Sequence, residues 1–248
     1  SCNFRKYSRK LGHYMQQVTN EKLIQRNKRI GNITSIVGIA ILAVGLILNI
    51  NPTSTKTLIS FGALIVGFIV AQVSTYFVTK FGRSPRFDEL IADNLSKLNN
   101  KYTFYVYSSP VPMLLVGPYR LWIPIPISAS GEIHYDGKWK QKGGSFLLKL
   151  FGQENLGRPG LDVEANEKQL REFLSKHFEE GQLPPIESIL VVLNPKAEIG
   201  DVENAPTEII TVDALRRTIR KHDRKSEEEI PQEAREKIND LLGVPQEK

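Results

Sequence analysis

The chain has 248 residues, with 33 Lys or Arg against 27 Asp or Glu, a formal net charge of +6 and one cysteine, Cys2. A single thiol excludes an internal disulfide and any cysteine-built zinc or iron–sulfur centre. The charge is uneven: residues 1–30 hold eight basic residues against one acid, whereas residues 81–248 hold 23 basic and 26 acidic ones. A basic arm, not a basic domain, sets the balance, which points to lipid headgroups rather than nucleic acid.

Residues 1–30 read as a basic helix on which Tyr7, Leu11, Tyr14 and Val18 recur at spacings of three to four. It either lies on a membrane surface or extends the first span inward, and residues 5–29 are the stretch expected to meet anionic lipid. Residues 31–80 read as a transmembrane hairpin. No charge occurs from Ile30 to Thr55 or from Thr57 to Thr79. The apolar cores of these runs, about 33–50 and 58–78, are each long enough to cross ~30 Å of hydrocarbon as a helix. Between them, Asn49-Ile50-Asn51-Pro52-Thr53-Ser54 has turn composition.

Eight basic residues precede the first run, and Lys80, Arg83 and Arg86 follow the second, against Lys56 alone in the connection. The positive-inside bias then places both termini in the cytoplasm, and a bacterial inner membrane is the expected location. Ala63, Gly67 and Ala71 recur every four residues, which suits close helix packing inside the hairpin or against another subunit. Neither span carries an ionisable residue, which argues against ion or proton transport.

Residues 81–225 read as a mixed α/β domain, a mixed sheet flanked by helices. Arg86 to Leu98 is an amphipathic helix. Tyr102–Tyr107, Val111–Val116 and Leu121–Ile127 are three strands. Asp136-Gly137 closes a hairpin within Gly131–Gln141. A helix opens at Asp162 or Glu164 and runs to Lys176, strands follow at Ser188–Leu193 and Glu208–Val212, and Asp213 caps a helix to Lys221. Residues 226–248 hold a last helix from Pro231 to Gly243.

This order is an αβββαβ core, that of the restriction-endonuclease-like fold. Val111-Pro112-Met113-Leu114-Leu115-Val116-Gly117-Pro118, then Leu121-Trp122-Ile123-Pro124-Ile125-Pro126-Ile127, then Gly131-Glu132-Ile133 with Trp139, and later Pro159, Leu170 and Leu174, together resemble the nuclease-related (NERD) domain. The resemblance covers roughly 80 residues. It implies a metal-binding Asp at position 112, a Glu and a Lys at positions 125 and 127, and a Gln at position 162. This chain has Pro112, Ile125, Ile127 and Asp162 there. Proline and isoleucine can neither hold Mg²⁺ nor activate water, so the resemblance implies a fold that has lost catalysis.

No catalytic, cofactor-binding or metal-binding residue is therefore assigned, and no cofactor is expected. The leading expectation is a non-catalytic, membrane-anchored interaction protein or accessory subunit with a protein partner. One alternative is a metal-dependent nuclease using displaced carboxylates from Asp162, Glu164, Glu132 and Asp136 with His134. Another is a structural subunit of a larger membrane complex that makes its contacts through the hairpin. The basic run Arg216, Arg217, Arg220, Lys221, Arg224 and Lys225 reads as a solvated helix end or as a contact with anionic lipid or RNA.

Overall fold

A computed structural model describes residues 14–50, 53–145, 154–179 and 181–243. The chain forms two compact units: a helical one centred on residues 22–86, and an α/β one built from the described residues on either side.

The helical unit contains α1 (Glu21–Leu48) and α2 (Ser54–Phe77), which continues into a π-helical turn (Val78–Gly82). Both helices are long and apolar enough to cross a membrane. At 1.5 Å per residue, α1 is about 42 Å long, and its first turns carry the exposed Lys22, Arg26, Lys28 and Arg29. The two helices run antiparallel along a seam of small residues. Gly31, Gly38 and Gly45 on α1 and Ser60, Gly67 and Ser74 on α2 are their buried positions, apart from Ile24. Each set recurs every seven residues, the spacing that keeps a seam in register along a left-handed supercoil. Ser60 Oγ donates to the Gly45 carbonyl at 2.6 Å and Ser74 Oγ to the Gly31 carbonyl at 3.2 Å. Ser35 and Ser74 meet hydroxyl to hydroxyl at 2.5 Å. A Cβ on Gly31 would stand 3.0 Å from Phe77 Cβ, and one on Gly45 would stand 3.2 Å from Ala63 Cβ, so the backbones approach closely only because these side chains are missing. Gly67 therefore belongs to the pair's own seam, while the four-residue series with Ala63 and Ala71 is only part of it.

In the α/β unit the main sheet has six strands in the order β1-β2-β3-β4-β7-β9: β1 (Gln16–Thr19), β2 (Thr103–Val106), β3 (Met113–Val116), β4 (Leu121–Ile127), β7 (Ile186–Val192) and β9 (Ile209–Thr211). β1 lies parallel to β2, β3 is antiparallel to both its neighbours, and β4, β7 and β9 are parallel. Strands β2, β4, β7 and β9 thus all start at one edge. The strand β1 corrects the reading of residues 1–30 as one helix. Residues 16–19 pair with β2, whose edge would otherwise be open, and Val18 packs on the core. Helix begins only at Glu21. Tyr7 and Leu11 lie outside the described residues, as do Cys2 and the basic residues at positions 5–10.

Both faces of the sheet are covered, so its central strands β3 and β4 are apolar along their whole length. On one side α3 (Phe87–Leu95) and α5 (Leu215–Lys225) pack on Phe104, Val106, Leu115, Trp122, Ile189 and Val191. On the other, α4 (Pro159–Leu174) and α6 (Gln232–Gly243) contribute Leu170, Leu174, Ile238 and Leu242 against Leu114, Ile123, Ile125, Ile127, Leu190 and Val192. α4 starts ahead of the expected Asp162 because Pro159 occupies its first turn. Asp213 sits in a 3₁₀ turn (Val212–Ala214) and caps nothing. Instead Asn94 Oδ1, from just inside α3, accepts the Arg216 N–H at 3.2 Å. The prolines of β4 are tolerated because Leu121 turns its N–H toward the β7 side, bonding Pro185 O. The alternate positions 124 and 126 then face the β3 side, where pairing has already ended at Trp122.

A second sheet, in the order β6-β5-β8, combines the expected hairpin β5 (Gly131–Tyr135) and β6 (Trp139–Lys142) with β8 (Ala197–Ile199), which joins parallel to β5. Gly131 is required here: its φ is +79°, and a Cβ would lie 2.4 Å from the Lys142 carbonyl oxygen.

Candidate functional site

The positions that the nuclease-related frame assigns to chemistry are built into structure. Pro112 accepts the Tyr107 N–H on its carbonyl at 2.8 Å and closes the β2–β3 turn. Ile125 and Ile127 are 6% and 2% exposed and lie in the apolar cluster that α4 and α6 cover. The displaced carboxylates do not converge either. Asp162 and Glu164 are exposed on the first turns of α4, and Glu132 and His134 lie on β5. Asp136 sits in the hairpin turn, where Lys140 holds its carboxyl below the usual carboxylate range by a hydrogen bond and by charge. Among the described residues no three His, Cys, Asp or Glu side chains come together in a way that would hold a metal ion.

The polar residues that do converge lie at the opposite edge from Ile127, where β2, β4, β7 and β9 begin. Each strand is preceded or opened by one of them: Tyr102 before β2, Arg120 before β4, Glu187 on β7 and Glu208 before β9. Helix α5 adds His222 and Asp223. The Tyr102 hydroxyl donates to Asp223 Oδ2, and Arg120 Nη1 to Glu187 Oε2. Arg120 Nη2 donates to Ser226 Oγ at 2.7 Å. His222 Nε2 meets Glu208 Oε2 at 2.8 Å, while its Nδ1 lies 3.9 Å from Glu187. Trp122 lies beneath, with His222 edge-on at 5.3 Å and the Arg120 guanidinium 5.4 Å from its ring centre. The network ties the end of α5 to three parallel strands of the sheet and to the start of β2.

Asp223 is only 7% exposed. Burial raises its carboxyl above the usual value, a shift opposed by the Tyr102 hydroxyl, Arg120 and His222. Burial, and then Asp223 itself, pushes the Tyr102 hydroxyl far above its usual range, so it stays a proton donor. Removing it by Tyr102→Phe leaves both Asp223 oxygens without a donor. The expected loss is about 2 kcal/mol, read as a lowered Tm of the full chain in detergent.

The pH dependence has a definite sign. A carboxyl whose pKa is higher in the folded than in the unfolded state contributes fully below the unfolded value, near 3.8, and loses that contribution as pH rises through the folded value. The stability of wild type minus Asp223→Asn should therefore fall with rising pH across the acid range. A difference that rises with pH would contradict the assignment.

Ligand sites in open α/β sheets lie at the carboxyl ends of parallel strands, and this network occupies the amino ends. Its geometry is that of a clasp. Sequence reasoning missed it because its members are scattered from position 102 to position 226. The one local signal was a polar residue at the head of each apolar strand, paired with His222-Asp223 on one helix.

No family model, curated protein or solved structure matches the chain.

Proposed function

We propose that this chain is a membrane-anchored, non-catalytic interaction protein or accessory subunit, in which a two-helix hairpin holds a degenerate nuclease-like α/β domain at the cytoplasmic face of the membrane. The observation that carries the anchoring is the exposure of the paired helices. Only 17% of the apolar stretch of each helix is buried, and Ile36, Ile39, Leu46, Leu58, Ile65 and Phe68 are all more than half exposed. A core helix of a soluble protein buries such residues; lipid is the solvent that accepts them. Antiparallel pairing brings Lys22, Arg26, Lys28 and Arg29 to the same end of the hairpin as Lys80, Arg83 and Arg86, and Lys56 to the other. That asymmetry favours the basic end on the cytoplasmic side. Tyr76 supports it, with Lys80 Nζ donating to its hydroxyl at 3.2 Å, an aromatic–basic pair suited to the headgroup level.

The absence of catalysis is argued from Ile125 and Ile127. A divalent-metal nuclease needs a carboxylate and a cation there, and both side chains instead fill a core. Purified full chain should cleave neither DNA nor RNA with Mg²⁺ or Mn²⁺. Cleavage that is lost on Glu164→Ala or Asp162→Ala would overturn this reading in favour of displaced carboxylates. Isolation from native membranes in mild detergent should recover a stoichiometric protein partner. A lone monomer or homodimer would count against the accessory role.

A further inference from the structure

We infer that the outer face of α5 is a docking surface for an anionic lipid leaflet, an inference that rests on the membrane-anchored reading above. α5 buries Leu215, Thr218, Ile219 and Asp223. Its other side carries Arg217, Arg220, Lys221, Arg224 and Lys225, all exposed. Arg220 Nη2 donates to the Lys97 carbonyl at 2.9 Å, which brings the exposed Lys97 to the edge of the same patch. Among the described residues, Arg217, Lys221, Arg224 and Lys225 have no carboxylate within ion-pair distance. Of the acids around it, Glu208 and Glu187 face His222, Glu229 pairs with Lys101, and the exposed Glu227 and Glu228 lie past the end of the helix.

Two features favour a lipid surface over single-stranded nucleic acid. Single-stranded nucleic acid is held by exposed aromatic side chains on which bases stack, and this helix face has none; Trp122 is buried beneath it. A run of exposed cations suits a plane of headgroups, each basic residue near an anionic surface favouring association roughly fivefold. The α/β unit is also tethered to the hairpin twice over short distances, through Asn20 between β1 and α1 and through residues 83–86 before α3. A short tether raises the effective concentration of the leaflet around the α/β unit, so a modest attraction suffices for contact.

The test uses the full chain in nanodiscs, with Cys2→Ser and Lys221→Cys carrying a fluorophore and with a headgroup-bound quencher. Quenching should be about twofold stronger in discs with anionic lipid than in neutral ones. It should fall back to the neutral level in high salt and in Arg217→Glu/Arg224→Glu. A fluorophore at Lys176→Cys, next to α4, should not respond to lipid charge. Equal quenching in both discs would overturn the inference, as would a short RNA that protects residue 221 while anionic lipid does not. Anchoring is scored separately: every variant should stay with the discs, and release of the chain would indict the anchored reading rather than the docking face.

Discussion

Gly45→Leu is expected to separate the two long helices. At Gly45 a bare Cβ would already stand 3.2 Å from Ala63 Cβ and 3.5 Å from the Ser60 carbonyl oxygen. A leucine must displace one helix from the other, and with it the Ser60 hydroxyl bond to Gly45 O. Overpacking of this kind costs about 1–3 kcal/mol, and helix association in lipid rests on close packing and a few polar contacts. The reporter is Ser35→Cys with Ser74→Cys in a Cys2→Ser background, at positions whose hydroxyls meet in the native seam. Oxidation should cross-link this pair readily, and Gly45→Leu should abolish the link. Gly62→Leu is the control, since a Cβ there meets nothing within 4 Å, and the link should persist. Cross-linking that survives Gly45→Leu would contradict the seam.

Ile125→Glu is expected to destabilise the α/β unit by about 3–5 kcal/mol, the range found when a charge is left buried without a partner. That amounts to a fall in Tm on the order of 10 °C. The side chain would enter the apolar cluster formed with Leu170, Leu174 and Ile238. Ile125→Val, which removes one methylene, should cost only about 1 kcal/mol. Ile125→Glu/Ile127→Lys, the pair that the nuclease frame would contain, should be no more stable and should not cleave nucleic acid. A double variant with wild-type Tm would mean that the two positions line an open cleft, and the account of a filled site would fail.

How much of this was legible in the sequence depended on how local each signal was. The long apolar runs, the three apolar strands and the Asp136-Gly137 hairpin are written in adjacent residues, and they appear where the patterns put them. The residues at positions 125 and 127 were readable as apolar, but not as core, because the helices that cover them arrive some 45 and 110 residues later. Strand β1 was hidden because Gln16–Thr19 has no alternating pattern of its own and takes its conformation from the edge of β2. β8 is three residues long and depends likewise on β5. The seam was half visible. Gly67 stood out in its four-residue series, but nothing local marks Ser60 and Ser74, seven residues to either side of it, as the donors that meet the Gly45 and Gly31 carbonyls. The clasp around Asp223 could not be read, because only the sheet topology brings the heads of four strands together.

The hairpin is proposed to cross a membrane and to keep the α/β domain on its basic side. The most direct test is cysteine accessibility in intact cells, on the full chain with Cys2→Ser and a single new thiol at Thr55 or at Lys176, combined with alkaline carbonate extraction. The chain is expected to stay in the carbonate pellet. A membrane-impermeant maleimide should label Thr55→Cys from outside, and Lys176→Cys only after permeabilisation. Release into the carbonate supernatant, or labelling of Lys176→Cys in sealed cells, would contradict it.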